Sequence, residues 1–237
     1  MDNYSKIKAF FINLFFPKFC LGCKKEGSYL CEDCRSLLDI CEHTYFVDNK
    51  YLAGLLFALP YKERHLTKKL IHQFKYEPRI KGLAKTLAGI LAEHLIKTGN
   101  NTNQFWENSV LIPVPLDKTK LKNRGYNQSE ELAKELSKII KVPVVANVLI
   151  KIKKTAPQME LSKTEREKNL EGAFSVKPIE ARPPRARGGR ASTQLADKKI
   201  FLVDDVYTTG STMAECSRTL KNNGAKEIWG ICIAREN

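Results

Sequence analysis

The chain has 237 residues, enough for one sizeable domain and a small module. Its hydrophobic share of 43% is ordinary for a globular protein, and no apolar run is long enough to span a bilayer. With 40 basic against 26 acidic residues the formal charge is +14. That suits a polyanionic partner (nucleic acid, nucleotide phosphates or an anionic surface) and equally a lysine-rich solvated surface, so charge alone leaves both open.

The first apolar run, Phe10–Phe16, follows two lysines but lacks a small-residue cleavage site and stops at Pro17-Lys18, which argues against a secretory signal. Tyr4–Phe16 reads as an amphipathic helix packing on the main domain, with a membrane-surface role as the other reading. The expected location is the cytoplasm, where disulfides are rare. Cysteines come next. Cys20-x2-Cys23 and Cys31-x2-Cys34 form two knuckles seven residues apart, and four thiolates at this spacing can wrap one tetrahedral zinc ion. Four protein ligands leave no open position, so the expected role is structural. Cys41 and His43 cannot close a second site and stay unassigned, while Cys216 and Cys232 fall on apolar faces and read as core.

Val47–Leu59 looks like strands feeding the next segment. Leu66 to Ile96 has helical spacing, divided into two helices by Pro78. Within it, Gln73-Phe74-Lys75-Tyr76 puts a base between two aromatics, suited to helix packing or to stacking on a base or ribose. Gly99–Asn108 is a polar loop and Val110–Val114 a strand. A cationic loop follows, carrying Lys120, Lys122, Arg124, Gly125, Asn127 and Gln128, and runs into a helix from Ser129 to Ile140. Val142–Ile150 is β-rich. Lys151–Gly172, with Gln158, Arg166 and Asn169, reads as a long basic loop of the kind that closes over sites, and Ala173–Val176 returns to strand. Residues 180–195, rich in Arg, Gly and Pro, read as a disordered insertion whose arginines either touch nucleic acid or are merely tolerated.

The stretch that organises the chain is Ile200–Thr212. Ile200–Val203 reads as a buried parallel strand, followed by the carboxylates Asp204 and Asp205. Thr208, Thr209, Gly210, Ser211 and Thr212 then form a hydroxyl-rich turn opening a helix over Met213 to Asn222. A strand that turns tightly into a helix presents backbone N–H groups and a helix dipole to an anion, so the turn suits a phosphate monoester. The acid pair would repel phosphate and suits the vicinal hydroxyls of a sugar. Together they describe a ribose 5-phosphate site at the carboxyl edge of a parallel sheet.

Here the sequence resembles the type I phosphoribosyltransferases, whose signature for phosphoribosyl pyrophosphate (PRPP) is an apolar strand, two acids and a Thr/Gly/Ser-rich turn. Over nearly its full length it resembles the ComF family of competence-associated phosphoribosyltransferase-like proteins. The matching pieces are the Cys-x2-Cys pairs, Phe74-Lys75-Tyr76, Pro113-Val114-Pro115-Leu116, Arg124-Gly125-Tyr126-Asn127-Gln128, Pro157-Gln158 with Leu161, Arg166, Asn169, Ala173 and Phe174, the acid-pair stretch, and Ala234-Arg235. Three features depart from the family: Lys120 and Lys122 stand where arginine is usual, a further cysteine pair of some members is missing, and the insertion precedes the central strand.

The expected fold is therefore α/β, a type I phosphoribosyltransferase-like parallel sheet flanked by helices. Its expected strands are Val110–Val114, Val142–Val148, Phe174–Val176, Ile200–Val203 and Glu227–Ile233. Residues 1–45 would be the helix and zinc module and 46–237 the main domain. The resemblance implies a role in DNA uptake and natural transformation, with single-stranded DNA, a competence helicase and recombination proteins as partners and PRPP or a related phosphosugar as ligand. It also implies Asp204 and Asp205 on the ribose hydroxyls and Thr208–Thr212 around the 5-phosphate. Lys120, Lys122 and Arg124 would face a pyrophosphate or a nucleic-acid backbone. The alternative is an active phosphoribosyltransferase using Mg²⁺, with Asp204 and Asp205 steadying a cationic sugar.

Overall fold

A computed structural model of the chain describes residues 17–47, 49–61, 65–153, 155, 165, 169–177, 195 and 197–236. The expected helix at Tyr4–Phe16, Gln158, Arg166 and all of the 180–195 insertion except Leu195 lie outside the described residues.

The centre is a four-stranded, wholly parallel sheet. Its strands are β1 (Gly54–Pro60), β2 (Ser109–Pro113), β5 (Lys199–Tyr207) and β6 (Glu227–Arg235), in the order β1-β6-β5-β2. A sheet covered on both faces needs apolar side chains on both, which is why β5 reads as a continuous hydrophobic run. Its alternate residues serve two cores. Phe201 and Val203 pack with Leu70, Phe74, Leu87, Leu91 and Leu132, from α2 (His65–Lys75), α3 (Leu83–Lys97) and α6 (Gln128–Ile140). Ile200 and Leu202 pack on the other face with Met213, Cys216 and Leu220 of α7 (Ser211–Asn222), and Cys232 joins this core as expected. The pair of helices either side of Pro78 is as the spacing implied.

Two expected strands are corrected. Val142–Val148 does not run through the sheet. It makes one parallel bridge, Val144 to Leu111, on the outer side of β2. Pro143 has no N–H to donate, so a ladder cannot continue through it. Phe174–Val176 (β4) is a strand, but it pairs antiparallel with β3 (Leu149–Lys151) in a separate two-stranded sheet. This ribbon lies over α7, where Ala173 and Phe174 join the second core and the Gly172 N–H donates to Glu215 Oε1 at 2.8 Å. The sheet's far edge is instead β1, from the segment read only as strands feeding the next one. Gly54 permits this pairing, because a Cβ there would meet the Trp229 ring.

The cysteine segment docks on α3. Cys20, Leu21, Leu30 and Cys34 belong to the first core. Arg35, in the short helix α1 (Glu32–Ser36), donates to Glu93 Oε2 from Nε at 3.1 Å and Nη2 at 2.9 Å, and to the Gly89 carbonyl at 3.2 Å. Among the described residues no helix is long and apolar enough to cross a membrane.

Candidate functional site

A cleft of about 810 Å³ opens at the carboxyl edge of the sheet, between the ends of β2, β5 and β6 and the C-terminal end of α2. Topology accounts for the place: in a parallel sheet all strands finish on the same edge, and the following turns frame a crevice there.

The floor is the acid pair. β5 continues past Val203 to Tyr207, so Asp204 and Asp205 lie within the strand rather than beyond it. Asp204 Oδ1 accepts from the Ser129 hydroxyl at 2.9 Å and from the Asp205 N–H at 2.9 Å. Asp205 Oδ1 stands 2.8 Å from Lys75 Nζ, with the two side chains 10% and 22% exposed. Burial, and then the neighbouring Asp205 charge, push the Asp204 carboxyl up to about 7. Burial by itself lowers Lys75, but the Asp205 charge and hydrogen bond outweigh it, so the ammonium is held above its ordinary value.

The turn beside the floor is shaped for an anion. Gly210 takes φ 78°, in the left-handed region, and a Cβ there would collide with the Tyr207 hydroxyl, so only glycine fits. Gly210 is also the N-cap of α7 and, having no side chain, makes no side-chain cap to the helix start. The Thr209 and Ser211 hydroxyls lie 2.9 Å apart, and Thr208, Gly210 and Thr212 line the cleft.

The expected cationic loop is largely helical. Lys118–Arg124 forms α5, because Asp117 accepts from the Lys120 N–H at 2.9 Å as N-cap and Gly125 ends the helix at φ 80°. Lys120 and Arg124 line the cleft, whereas Lys122 is exposed and does not. Asn127 turns inward: its Nδ2 donates to the Val114 carbonyl at 3.0 Å and its Oδ1 caps α6 by accepting from the Ser129 N–H. Gln128 is buried, accepts from Arg124 Nη1, and its Nε2 lies 3.5 Å from the Phe74 carbonyl. Tyr126 donates its hydroxyl to that same carbonyl at 2.6 Å. Within the Arg-Gly-Tyr-Asn-Gln stretch, Tyr126 and Gln128 thus reach the end of α2, Asn127 holds Val114, and Arg124 and Gln128 line the cleft. Asn169 is half-buried beside Leu170 and does not line the cleft.

Lys75, Ser129 and Tyr126 are functional candidates that no periodicity or spacing exposed. Lys75 is 130 positions from Asp205, and only the short Phe74-Lys75-Tyr76 piece hinted that it mattered.

The four knuckle cysteines meet. The sulfurs of Cys20, Cys23, Cys31 and Cys34 all lie within 4.8 Å of one another, a set able to hold a metal ion such as zinc. The surroundings fit one. A Cβ on Gly22 would occupy the place of Cys34 Sγ, and the Cys31 N–H points at Cys20 Sγ at 3.4 Å. Burial raises the Cys20 thiol, yet N–H groups of Cys31, Cys23 and Gly22 outweigh it and bring it to about 6; burial pushes Cys34 up to about 12. Cys41 takes no part in the cluster; its carbonyl meets His94 Nδ1 at 2.7 Å.

Comparison with known proteins matches residues 121–237 to the phosphoribosyl transferase domain, a span that holds the acid pair and its turn but not Lys75 or the knuckles. The chain is 33% identical over 167 residues to competence protein F of Haemophilus influenzae, covering 70% of this chain and 67% of that one. It is 30% identical over 166 residues to the DNA utilization protein YhgH of Escherichia coli, covering 69% and 65%. A longer, weaker match, 25% over 218 residues, covers 91% of this chain and 80% of competence protein ComFC of Streptococcus pneumoniae.

Proposed function

Because the chain belongs to the ComF family, with its phosphoribosyl transferase domain, we propose that it serves DNA uptake in the cytoplasm by binding single-stranded DNA and a phosphoribosyl ligand. The observation that carries this reading is the meeting, in one cleft, of an acid pair, a helix start without a side-chain cap and a cationic wall. The α7 N–H groups and the Thr208–Thr212 hydroxyls take the 5-phosphate, and the outward oxygens of Asp204 and Asp205 accept from the ribose hydroxyls. Arg79, Lys120 and Arg124 line the wall, and the Arg124 guanidinium sits 5.8 Å from the centre of the 45%-exposed Tyr76 ring. Cations beside an accessible aromatic suit a strand whose phosphates are neutralised while a base stacks. The ligand is then PRPP, a related phosphosugar, or the 5-phosphate and sugar of a DNA end. The helicase and recombination factors of transformation are its partners on this reading, and a zinc ion in the four cysteines holds residues 1–45 as a structural module beside the main domain.

Fluorescence anisotropy with labelled single-stranded oligonucleotides tests this. Lys120→Ala/Arg124→Ala weakens binding about tenfold and flattens its salt dependence, while Asp205→Asn leaves strand binding in place. Unchanged DNA uptake in a strain lacking the gene rejects the transformation role. Mg²⁺-dependent release of pyrophosphate from PRPP with a nitrogenous acceptor would favour the active transferase instead.

A further inference from the structure

The helix α2 runs from the cysteine segment to the cleft. Near its start, a Cβ on Gly22 of the first knuckle would stand 3.6 Å from Leu66 Cδ1. Beyond its end, a Cβ on Gly82 would stand 3.0 Å from the Tyr29 ring. The cysteine segment therefore braces the stretch at both ends, and Tyr76, just past α2, lines the cleft.

Four exposed residues, His65, Lys68, His72 and Tyr76, follow one another at helical spacing along this stretch. Residues three and four apart share one helix face. The Tyr76 N–H donates to the His72 carbonyl at 2.7 Å, which keeps Tyr76 in helical register. The four make a stripe about 16 Å long, ending at the cleft mouth.

The chemistry of this stripe differs from that of the chain's other surface helices. In α6, Lys134 meets Glu130 at 2.7 Å and Lys138 meets Glu135; in α7, Arg218 meets Glu215 at 2.7 Å. The sequence of α2 contains no acid. The next acid along the chain, Glu77, is paired with Arg79 at 2.9 Å. In place of carboxylates the stripe carries rings. His72 and Tyr76 have centroids 5.0 Å apart, and the Arg124 guanidinium stands 5.8 Å from the Tyr76 centre. Cation, ring and ring thus lead out of the cleft, with Lys68 beyond them. Accessible rings on an acid-free basic face complement a polyanion whose bases are free to stack, which a single strand offers and a duplex does not.

We propose that this face of α2 is the track on which a single strand of nucleic acid leaves the cleft, with successive bases stacked at Tyr76 and His72 and a backbone phosphate at Lys68. The inference rests on the strand-binding reading above and adds to it the path of the strand outside the matched domain. It also gives the cysteine module a task, because that module holds the track in place.

Photocrosslinking of the intact wild-type chain to an oligothymidylate of about 12 nucleotides carrying 5-iododeoxyuridine, followed by peptide mapping, tests the path directly. Adducts are expected on His72 and Tyr76. Adducts confined to other segments overturn the track. Fluorescence anisotropy with the same oligonucleotide tests the energetics. His72→Ala should weaken binding about tenfold, and His72→Phe, which keeps a ring, should stay close to the wild type. Lys68→Ala should lower the salt slope by about one, whereas Lys226→Ala, exposed just before β6 at the opposite edge of the sheet, should leave it unchanged. If Lys120→Ala/Arg124→Ala weakens binding while His72→Ala and Lys68→Ala do not, the track falls and the strand-binding cleft stands. No binding of the oligonucleotide by the wild type overturns both. The crosslink map is made on the wild type and decides the matter even if a variant fails to fold.

Discussion

The cysteine cluster and the acid-pair cleft both solve a problem of concentrated negative charge, but they are assembled in different ways. The cluster draws its four sulfurs from fifteen consecutive residues, Cys20 to Cys34, and suits a cation from solution. The cleft draws Lys75, Ser129, Asp204 and Asp205 from three distant segments and brings its own cation from the end of a helix. A local charge cluster can be organised by short-range geometry alone, whereas a cleft at a sheet edge exists only once helices have packed on the sheet.

The comparison breaks most visibly at the cysteines. Cys20→Ser should abolish stoichiometric zinc and destabilise the chain by more than about 3 kcal/mol, because ligand loss also opens the core around Leu21 and Leu30. Zinc content by atomic emission and a denaturant titration measure this, and an unchanged transition would remove the metal from the fold.

Next in size is the cleft's own ion pair. Lys75→Met leaves Asp205 largely buried without its cation and should cost about 3 kcal/mol, with zinc content unaffected. Lys75→Met/Asp205→Asn should regain part of the loss in the same titration. A double variant no more stable than the single one would argue against direct coupling.

The pH dependence is smaller. Folded Asp204 keeps its proton up to about 7 against an ordinary 3.8, so between these values the folded state binds more protons than the unfolded one. Stability should therefore fall as pH rises from about 4 to 7, by about 1–2 kcal/mol once screening at the cleft mouth is allowed for. Asp204→Asn should flatten that slope. The smallest effect is expected at the seam between the regions: Arg35→Ala removes bonds to Glu93 and Gly89 and should cost about 1 kcal/mol, leaving ligand affinity unchanged.

Much of this was open to reading because it rests on contiguous residues. The apolar run Ile200–Val203, the acids that follow and the turn at Gly210 announce a parallel strand feeding a helix, since burial, charge and permitted φ act over a few positions. The Cys-x2-Cys spacing likewise brings its sulfurs together locally. Where a reading failed, a non-local term decided. Val142–Val148 has strand composition, but Pro143 and its place outside β2 reduce it to a single bridge. The segment 118–124 is rich in lysine and has the composition of a loop, yet Asp117 and Gly125 carry the signals of a short capped helix.

By itself the sequence determined that two charge centres exist and which residue types build them. Only the tertiary structure decided that Lys75 pairs with Asp205, that Asp204 is held by Ser129, and that Tyr126 and Asn127 hold neighbouring backbone while Gln128, paired with Arg124, lines the cleft. The reason is physical: composition sets charge and hydrophobicity, but the partner of a buried charge is whichever group packing brings within about 3 Å, and packing is set by the whole chain.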